Sequence, residues 1–500
     1  MSELIQSLHD AACFDHPVEP FRVIETHISW VLLTGEFAYK IKKPLDLGFL
    51  DFSSPDKRLH ACREEVRLNR RLAPDIYIGV VPITGTLDAP RVNGGGGEAF
   101  EYAVKMRQFP AEATLDRLDA EGGLTAQHIE SIAATLARFH LDGCAIAKED
   151  SPWGSAAAIL QPVAQNFAQI ATHLDDPNDR VLLDTLSRWS EREHARLAPL
   201  MAARKENGFV RECHGDLHLG NLAWVDDHLL VFDCIEFNPE LRWIDIQSEI
   251  AFCYMDLLQR GHETWAWLFL NLWLDATGDY AGLALLRYYA VYRAMVRAKV
   301  AAIRMAQLSG AERETALKEV RALLLLAMKL TDSMRVSLSI THGLSGSGKS
   351  TVTRELMQKP GAIRVRSDIE RKRMAGLAAL AKSNSGVGEK LYATDATRQT
   401  YARLAELAGG LLDSGWPVIV DATFLARWQR DLLRAVANAR KVEFRIRDFP
   451  VPVETLKQRI VQRARSGNDA SEADLAVLQH QFDSEEPLGS DEQAEVEPAA

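Results

Sequence analysis

Four groups of residues in this chain have the types and spacing that phosphate chemistry requires. The first is Gly343-Leu344-Ser345-Gly346-Ser347-Gly348-Lys349-Ser350-Thr351, which satisfies G-x-x-x-x-G-K-[ST] at every fixed position. The glycines let successive N–H groups, from Ser345 through Ser347 and Gly348 to Thr351, turn toward one phosphate at the positive end of a helix. Lys349 adds a mobile charge for the β- and γ-phosphates, and the Ser350 hydroxyl is an oxygen ligand for Mg²⁺. The second is Cys213-His214-Gly215-Asp216, followed by Asn221 and, twelve residues later, Asp233. In that order Asp216 accepts a hydroxyl proton, Asn221 and Asp233 offer oxygens to Mg²⁺, and His214 buttresses the loop.

The third group is Asp368 with Arg371, at the end of Ile363-Arg364-Val365-Arg366. The carboxylate can take a proton from an acceptor hydroxyl and the guanidinium can hold an anion. Ser367 or Asp368 as a simple helix cap is the competing reading. Asp421, at the end of the apolar run Val418-Ile419-Val420, suits a metal-water ligand or an acceptor contact. The fourth group is Lys40 and Lys42 with Glu65, a strand lysine and a helix glutamate in the order that holds α- and β-phosphates.

These groups need particular elements to hold them. Val336 to Ile340 alternates as a buried strand and Thr351 to Met357 reads as the first turns of a helix, which is the strand, loop, helix context of a phosphate loop. Residues 22 to 45 read as an antiparallel sheet turning at Thr34-Gly35-Glu36, with Ala38, Lys40 and Lys42 on one face, and a helix from Pro55 to about Leu72 follows. The glycine run at 94 to 97 has no Lys-Ser after it and reads as a hairpin turn, and Tyr102 to Met106 is the strand before a hinge at Arg107 to Phe109. From Thr125 to about Ala202, and again from Arg242 to Arg304, the pattern is mostly helical, and Ala311 to Thr331 reads as a further helix.

H-G-D-x-x-x-x-N, with Asp233-Cys234-Ile235-Glu236 after it, resembles the aminoglycoside phosphotransferase and choline kinase family over about residues 20 to 305. The resemblance implies a two-lobed protein-kinase-like fold phosphorylating a small-molecule hydroxyl. It puts Asp216 on the catalytic base, Asn221 and Asp233 on the metal ligands, and Lys40 or Lys42 with Glu65 on the phosphate-positioning pair. The D-x-x-R of Asp368 and Arg371 is similar to that of polynucleotide and gluconate kinases. Arg459, Arg463 and Arg465, before Ser466-Gly467-Asn468-Asp469, resemble the arginine-bearing lid that closes over the γ-phosphate. The whole chain is similar to bacterial fusions of an aminoglycoside phosphotransferase-like domain with a P-loop, AAA-type ATP-binding kinase domain. The expected fold is therefore α/β and α+β in two domains, the second a P-loop NTPase with a parallel sheet flanked by helices.

The expected domains are 1–330, with a small lobe at about 20–110 and a large lobe at about 111–330, and 336–482. Five hundred residues exceed what one core supports, which agrees with that division. Residues 336–465 carry a net charge of +11, suited to nucleotide, whereas 466–500 carry −10 and no basic residue, so 483–500 is expected to be an acidic, disordered tail. The six cysteines contain no CxxC pair, and neither a secretory leader nor a membrane-length apolar stretch is visible, so a cytoplasmic protein with reduced thiols is expected. ATP and Mg²⁺ are the expected cofactors and a hydroxyl-bearing small molecule the expected acceptor. The same residues admit two alternatives: a P-loop kinase regulated by an N-terminal ligand-binding module, and 5′-hydroxyl phosphorylation of nucleic acid, with salt-sensitive oligonucleotide binding.

Overall fold

At the Thr34-Gly35-Glu36 turn, Gly35 adopts φ 99°, and a Cβ there would meet the Glu19 carbonyl oxygen. The turn joins β2 (Ser29–Leu33) to β3 (Phe37–Lys42). The computed structural model describes residues 3–46, 48, 50–94, 97–379, 381, 394–466 and 474–498. In it these strands join β1 (Arg22–Glu25), β4 (Tyr77–Gly85), β5 (Pro90–Val92) and β6 (Glu101–Arg107) in a six-stranded antiparallel sheet of order β1-β2-β3-β6-β4-β5. The Pro55–Asn69 helix packs on β4 and β6; Ser54 caps it through the Lys57 N–H, and Pro55 sits where its missing N–H is harmless. Its Cys62 and Val66 bury against Tyr77 and Val104. β5 and β6, which flank the glycine run, lie on opposite sides of β4 and do not pair, so they do not form the expected hairpin. Gly95 and Gly96 lie outside the described residues.

Contacts divide the chain into two compact units, the first being Met1–Ser131, Arg138–Ala168 and His194–Asp256. Besides the sheet it holds a β7 (Val210–Glu212) and β10 (Trp243–Asp245) pair, and the hairpin of β8 (Leu222–Val225) and β9 (His228–Val231). Asp226 and Asp227 both take positive φ in the two-residue loop of that hairpin, the conformation that matches strand twist. An antiparallel sheet with one helix, followed by a helical part carrying this hairpin, is the protein-kinase-like arrangement.

The second unit is Ile132–Ala137, Gln169–Glu193 and Leu257–Ala500. Its five-stranded parallel sheet has the order β12 (Ile363–Arg366), β13 (Val418–Asp421), β11 (Ser337–His342), β14 (Glu443–Asp448), β15 (Val496–Pro498). Leu338, Ile340, Val365 and Val420 are buried, as expected for strands covered by helices on both faces. This is the P-loop NTPase architecture. The helices Glu263–Thr277, Leu283–Ala306 and Gly310–Thr331 belong to this unit, so contacts do not divide the chain at the expected 330–336 boundary. The reason is local: β12 is an edge strand, and the first of these helices supplies its missing partners. The Asn271 amide donates to the Ala362 carbonyl (2.9 Å) and accepts the Arg364 N–H (2.7 Å). The Trp416 indole N–H donates to the Leu283 carbonyl at 3.1 Å, and Arg287 to the Gly415 carbonyl at 2.7 Å.

The expected disordered acidic tail is corrected by the structure. Glu492 is fully buried between Arg430 (2.8 Å) and Arg434 (3.0 Å), Asp491 pairs with Arg427 (2.6 Å), and Glu497 with Arg447 (2.8 Å) while β15 adds to β14. Carboxylates that would repel one another alone are neutralised here by arginines of the Arg427–Arg440 helix and β14. The last α-helix is Leu475–Asp483, capped by Asp474 through the Val477 N–H. Residues 467–473, which include the expected lid loop, lie outside the described residues. All six cysteines are free, and among the described residues no helix is long and apolar enough to cross a membrane.

Candidate active sites

In the first unit, the period of β3 turns both lysines toward the Pro55–Asn69 helix, where Glu65 is wholly buried. Lys40 lies 2.9 Å from one Glu65 oxygen and also hydrogen-bonds Asp233. Lys42, with no exposed side-chain surface, hydrogen-bonds the other Glu65 oxygen and Glu236. Burial opposes the charge on each lysine, but the surrounding carboxylates overcome it: Asp233 and Glu65 hold Lys40 well above the usual ammonium range, and Glu236 and Glu65 raise Lys42. Burial likewise opposes charge on Glu65 and Asp233, and the two lysines overcome it and lower both. Glu236 was quoted in the sequence only as the acidic residue after Asp233; its partnership with Lys42 depends on two segments far apart in the chain.

The catalytic-loop candidates gather at the open end of the β8–β9 hairpin. The Asn221 amide donates to the Asp216 carbonyl (2.8 Å) and carboxylate (3.0 Å), and the Phe232 N–H donates to the Asn221 carbonyl at 3.0 Å, which brings Asp233 beside them. Asp233 adopts φ 64° and its N–H donates to the buried Tyr77 hydroxyl at 3.2 Å. His214 accepts the Asp216 N–H at Nδ1 (3.3 Å) and donates from Nε2 to the Phe232 carbonyl (2.8 Å); burial lowers its pKa, keeping the ring neutral. Two anchors escaped the sequence reading. The buried Glu249 carboxylate accepts the N–H groups of His214 (2.6 Å) and Gly215 (3.0 Å), and Asp256 accepts that of Leu219 (2.9 Å). Only their place in a helical run was legible.

In the second unit the chain leaves β11 and turns at Gly343, whose N–H donates to the Thr423 carbonyl at 3.1 Å, before entering the Lys349–Leu356 helix. Gly346 takes φ 85°, and a Cβ there would press on the Leu456 carbonyl and Ile460 at 3.2 Å. Lys349 donates to the carbonyls of Gly343 (2.8 Å) and Leu344 (2.7 Å), within reach of its own loop. Residues 345–352 line a cavity of about 920 Å³ that also takes in Asp368, Arg371 and Asp421. Arg371 lies 3.2 Å from Asp368, and neither Ser367 nor Asp368 is the helix cap, because the cap position is Arg366. Asp421 accepts the Thr353 hydroxyl at 3.2 Å and so faces the phosphate-loop helix. Gln481 accepts the Ser345 N–H at 2.9 Å. Arg459 reaches the Gly346 carbonyl at 3.4 Å; Arg463 lies in the Val453–Ser466 helix, with its side chain outside the described residues, as is that of Arg465.

A family profile described as an AAA domain matches residues 338–488. Uncharacterized protein Rv2004c of Mycobacterium tuberculosis and Uncharacterized protein Mb2027c of Mycobacterium bovis are each 31% identical over 476 residues, covering 94% of this chain and 92% of theirs. The chain belongs to their family. The matched stretch reaches into both units of this chain. Among solved structures, the chain is similar to a choline kinase from Cryptosporidium parvum (12% identity, TM-score 0.40, covering 66% of this chain and 96% of that one). It is also similar to an aminoglycoside phosphotransferase from Alicyclobacillus acidocaldarius (15%, 0.35, 65% and 93%) and to a sugar kinase from Janibacter (21%, 0.25, 33% and 86%).

Proposed function

We propose that the chain is an ATP- and Mg²⁺-dependent phosphotransferase that phosphorylates hydroxyl groups of small molecules, with one reaction centre in each unit. The observation that carries this reading is the cavity in which the phosphate loop, Asp368 with Arg371, and Asp421 meet. Gly346 and Gly348, both at left-handed φ, line that cavity with Ser345, Ser347 and Ser350, and Lys349 stands inside the loop, a donor set that fits a polyphosphate. Ser350 and Asp421 in this unit, and Asn221 and Asp233 in the first, are the oxygen donors suited to Mg²⁺, which when bound neutralises phosphate charge.

In the second unit Asp368, oriented by Arg371, takes the proton of the acceptor hydroxyl. The acceptor oxygen forms a bond to the γ-phosphorus as the bond from that phosphorus to the β,γ-bridging oxygen breaks, and ADP leaves with the electron pair. In the first unit Asp216 is the corresponding base, held by the Asn221 amide, with Lys40 as the phosphate contact because it stands at the Asp233 end of the buried cluster.

The test is a calorimetric titration of Mg-ATP into the intact chain, Lys349→Ala and Asp233→Ala. Two sites in the intact protein, with each variant losing a different one, are expected. A single site abolished by Lys349→Ala would remove the first unit from the catalytic reading and make it a ligand-binding module.

A further inference from the structure

The cavity wall facing the phosphate loop contains residues that phosphate binding leaves unused. Thr397, Arg398 and Tyr401 come from the Thr394–Asp413 helix, and Trp428 and Gln429 from the Arg427–Arg440 helix. Buried Tyr401 meets Phe424 and Trp428 edge-on, with ring centroids 5.3 and 5.4 Å away, which fixes an indole that remains 38% exposed. The Arg398 guanidinium lies 5.5 Å from the centroid of that indole. Other arginines of these two helices have carboxylate partners: Arg403 has Glu406, Arg440 has Asp413, and Arg427, Arg430 and Arg434 have the C-terminal segment. Among the described residues Arg398 has no carboxylate within ion-pair distance. It is also an exposed cation facing a cavity whose lining carboxylates, among the described residues, are Asp368 and Asp421.

We propose that this wall is the acceptor subsite of the second unit, and that the acceptor carries an oxyanion, a carboxylate or a phosphate, besides the hydroxyl that is phosphorylated. The inference rests on the reading of the phosphate loop as the Mg-ATP site. Three features support it. A guanidinium held over an aromatic face keeps its N–H fork available for a bidentate anion. Arg371 beside Asp368 places a second guanidinium in the lining of the same cavity, so an ammonium-bearing acceptor meets like charge. The indole offers a sugar or base an apolar face, and the cavity, near the upper end of single-ligand volumes, has room for an acceptor beside a nucleotide.

The experiment uses the full chain carrying Asp216→Asn, which silences the first-unit base, with γ-labelled ATP and two matched pairs of acceptors. D-gluconate is paired with neutral sorbitol, and thymidine 3′-phosphate with neutral thymidine, so the pairs distinguish a carboxylate from a phosphate source. One charged probe is expected to exceed its neutral partner in kcat/KM by about 100-fold, the range of a charge-assisted hydrogen-bond pair. Arg398→Ala is expected to raise KM for that probe by about 10- to 150-fold while KM for ATP stays unchanged, with partial recovery in Arg398→Lys. Equal use of the neutral partner, or an equal effect of Arg398→Ala on both members of a pair, overturns the proposal. So does failure of both charged probes to bind protein saturated with a non-hydrolysable Mg-ATP analogue. Lys349-dependent transfer to a neutral probe alone sinks only this proposal, whereas Mg-ATP binding unaffected by Lys349→Ala sinks the underlying reading as well.

Discussion

The Asn271 side-chain oxygen accepts the backbone N–H of Arg364 at 2.7 Å, while its amide donates to the Ala362 carbonyl at 2.9 Å, so one helical side chain completes the hydrogen bonding of a sheet edge. Nearby, the Arg364 guanidinium joins Asp275 of the same helix (3.1 Å) to the Ser350 carbonyl in the phosphate-loop helix (3.3 Å). The Glu263–Thr277 helix is thus part of the platform beneath the phosphate loop.

Asn271→Ala leaves two buried backbone groups without partners, and a stability loss of about 2–4 kcal/mol is expected from that desolvation. Denaturant unfolding followed by tryptophan fluorescence measures it, since Trp267 and Trp416 pack edge-on at 5.9 Å in the same region. A fragment beginning at residue 336 lacks Asn271, Asp275 and Leu283 together, and is expected to bind Mg-ATP far more weakly than the full chain. Undiminished binding by that fragment would show that the edge needs no cover.

Lys40 and Lys42 share Glu65, yet their substitution should separate stability from nucleotide binding. Lys42→Met leaves Glu65 and Glu236 buried with one lysine fewer, and a loss of about 3–5 kcal/mol is expected for breaking a buried pair. Lys40 sits at the partly exposed Asp233, so Lys40→Met is expected to cost less stability but to abolish the Mg-ATP binding proposed for the first unit. Thermal unfolding and calorimetry in a Lys349→Ala background read the two effects. Reversal of that order would assign the phosphate contact to Lys42.

Glu249 offers a third test, because it touches no reacting group yet fixes the backbone of the loop that carries Asp216. In Glu249→Gln an amide N–H replaces one acceptor and opposes a backbone donor. A fall of about 10–100-fold in first-unit kcat is expected, with little change in KM for ATP, as for loss of positioning rather than of binding. An unchanged kcat would leave Glu249 as packing alone.

What could be read from the sequence was local. Strand, phosphate loop and helix lie within some twenty residues, so their order could be read from local spacing. Lys40 and Lys42 stayed ambiguous because a period of two puts both on one face, and what distinguishes them, Asp233 at Lys40 and Glu236 at Lys42, lies more than 190 residues away in the chain. The covering of β12 was hidden for the same reason: Asn271 lies 93 residues from Arg364 in a helix whose pattern shows only burial. In the acidic tail composition favoured disorder, because the arginines that neutralise it lie some sixty residues upstream.

That tail gives the last prediction. Burial alone would raise the Glu492 pKa, but hydrogen bonds from Arg430, the Gly489 N–H and Arg434 pull it down to about 2. The folded value lies below the unfolded one of about 4.3, so the group stabilises the fold above that pH and loses its contribution as pH falls toward 2, a term of about 3 kcal/mol. Glu492→Gln should remove that acid-sensitive window and lose about 3–5 kcal/mol at neutral pH, because Arg430 stays buried without its carboxylate. The double variant Arg430→Met/Glu492→Leu should recover much of the loss, since it removes both charges at once. Urea unfolding of the three proteins between pH 2 and 7 decides the matter. Equal midpoints for the wild type and Glu492→Gln throughout that range would mean that the tail is held by its strand pairing with β14 and not by the buried ion pair.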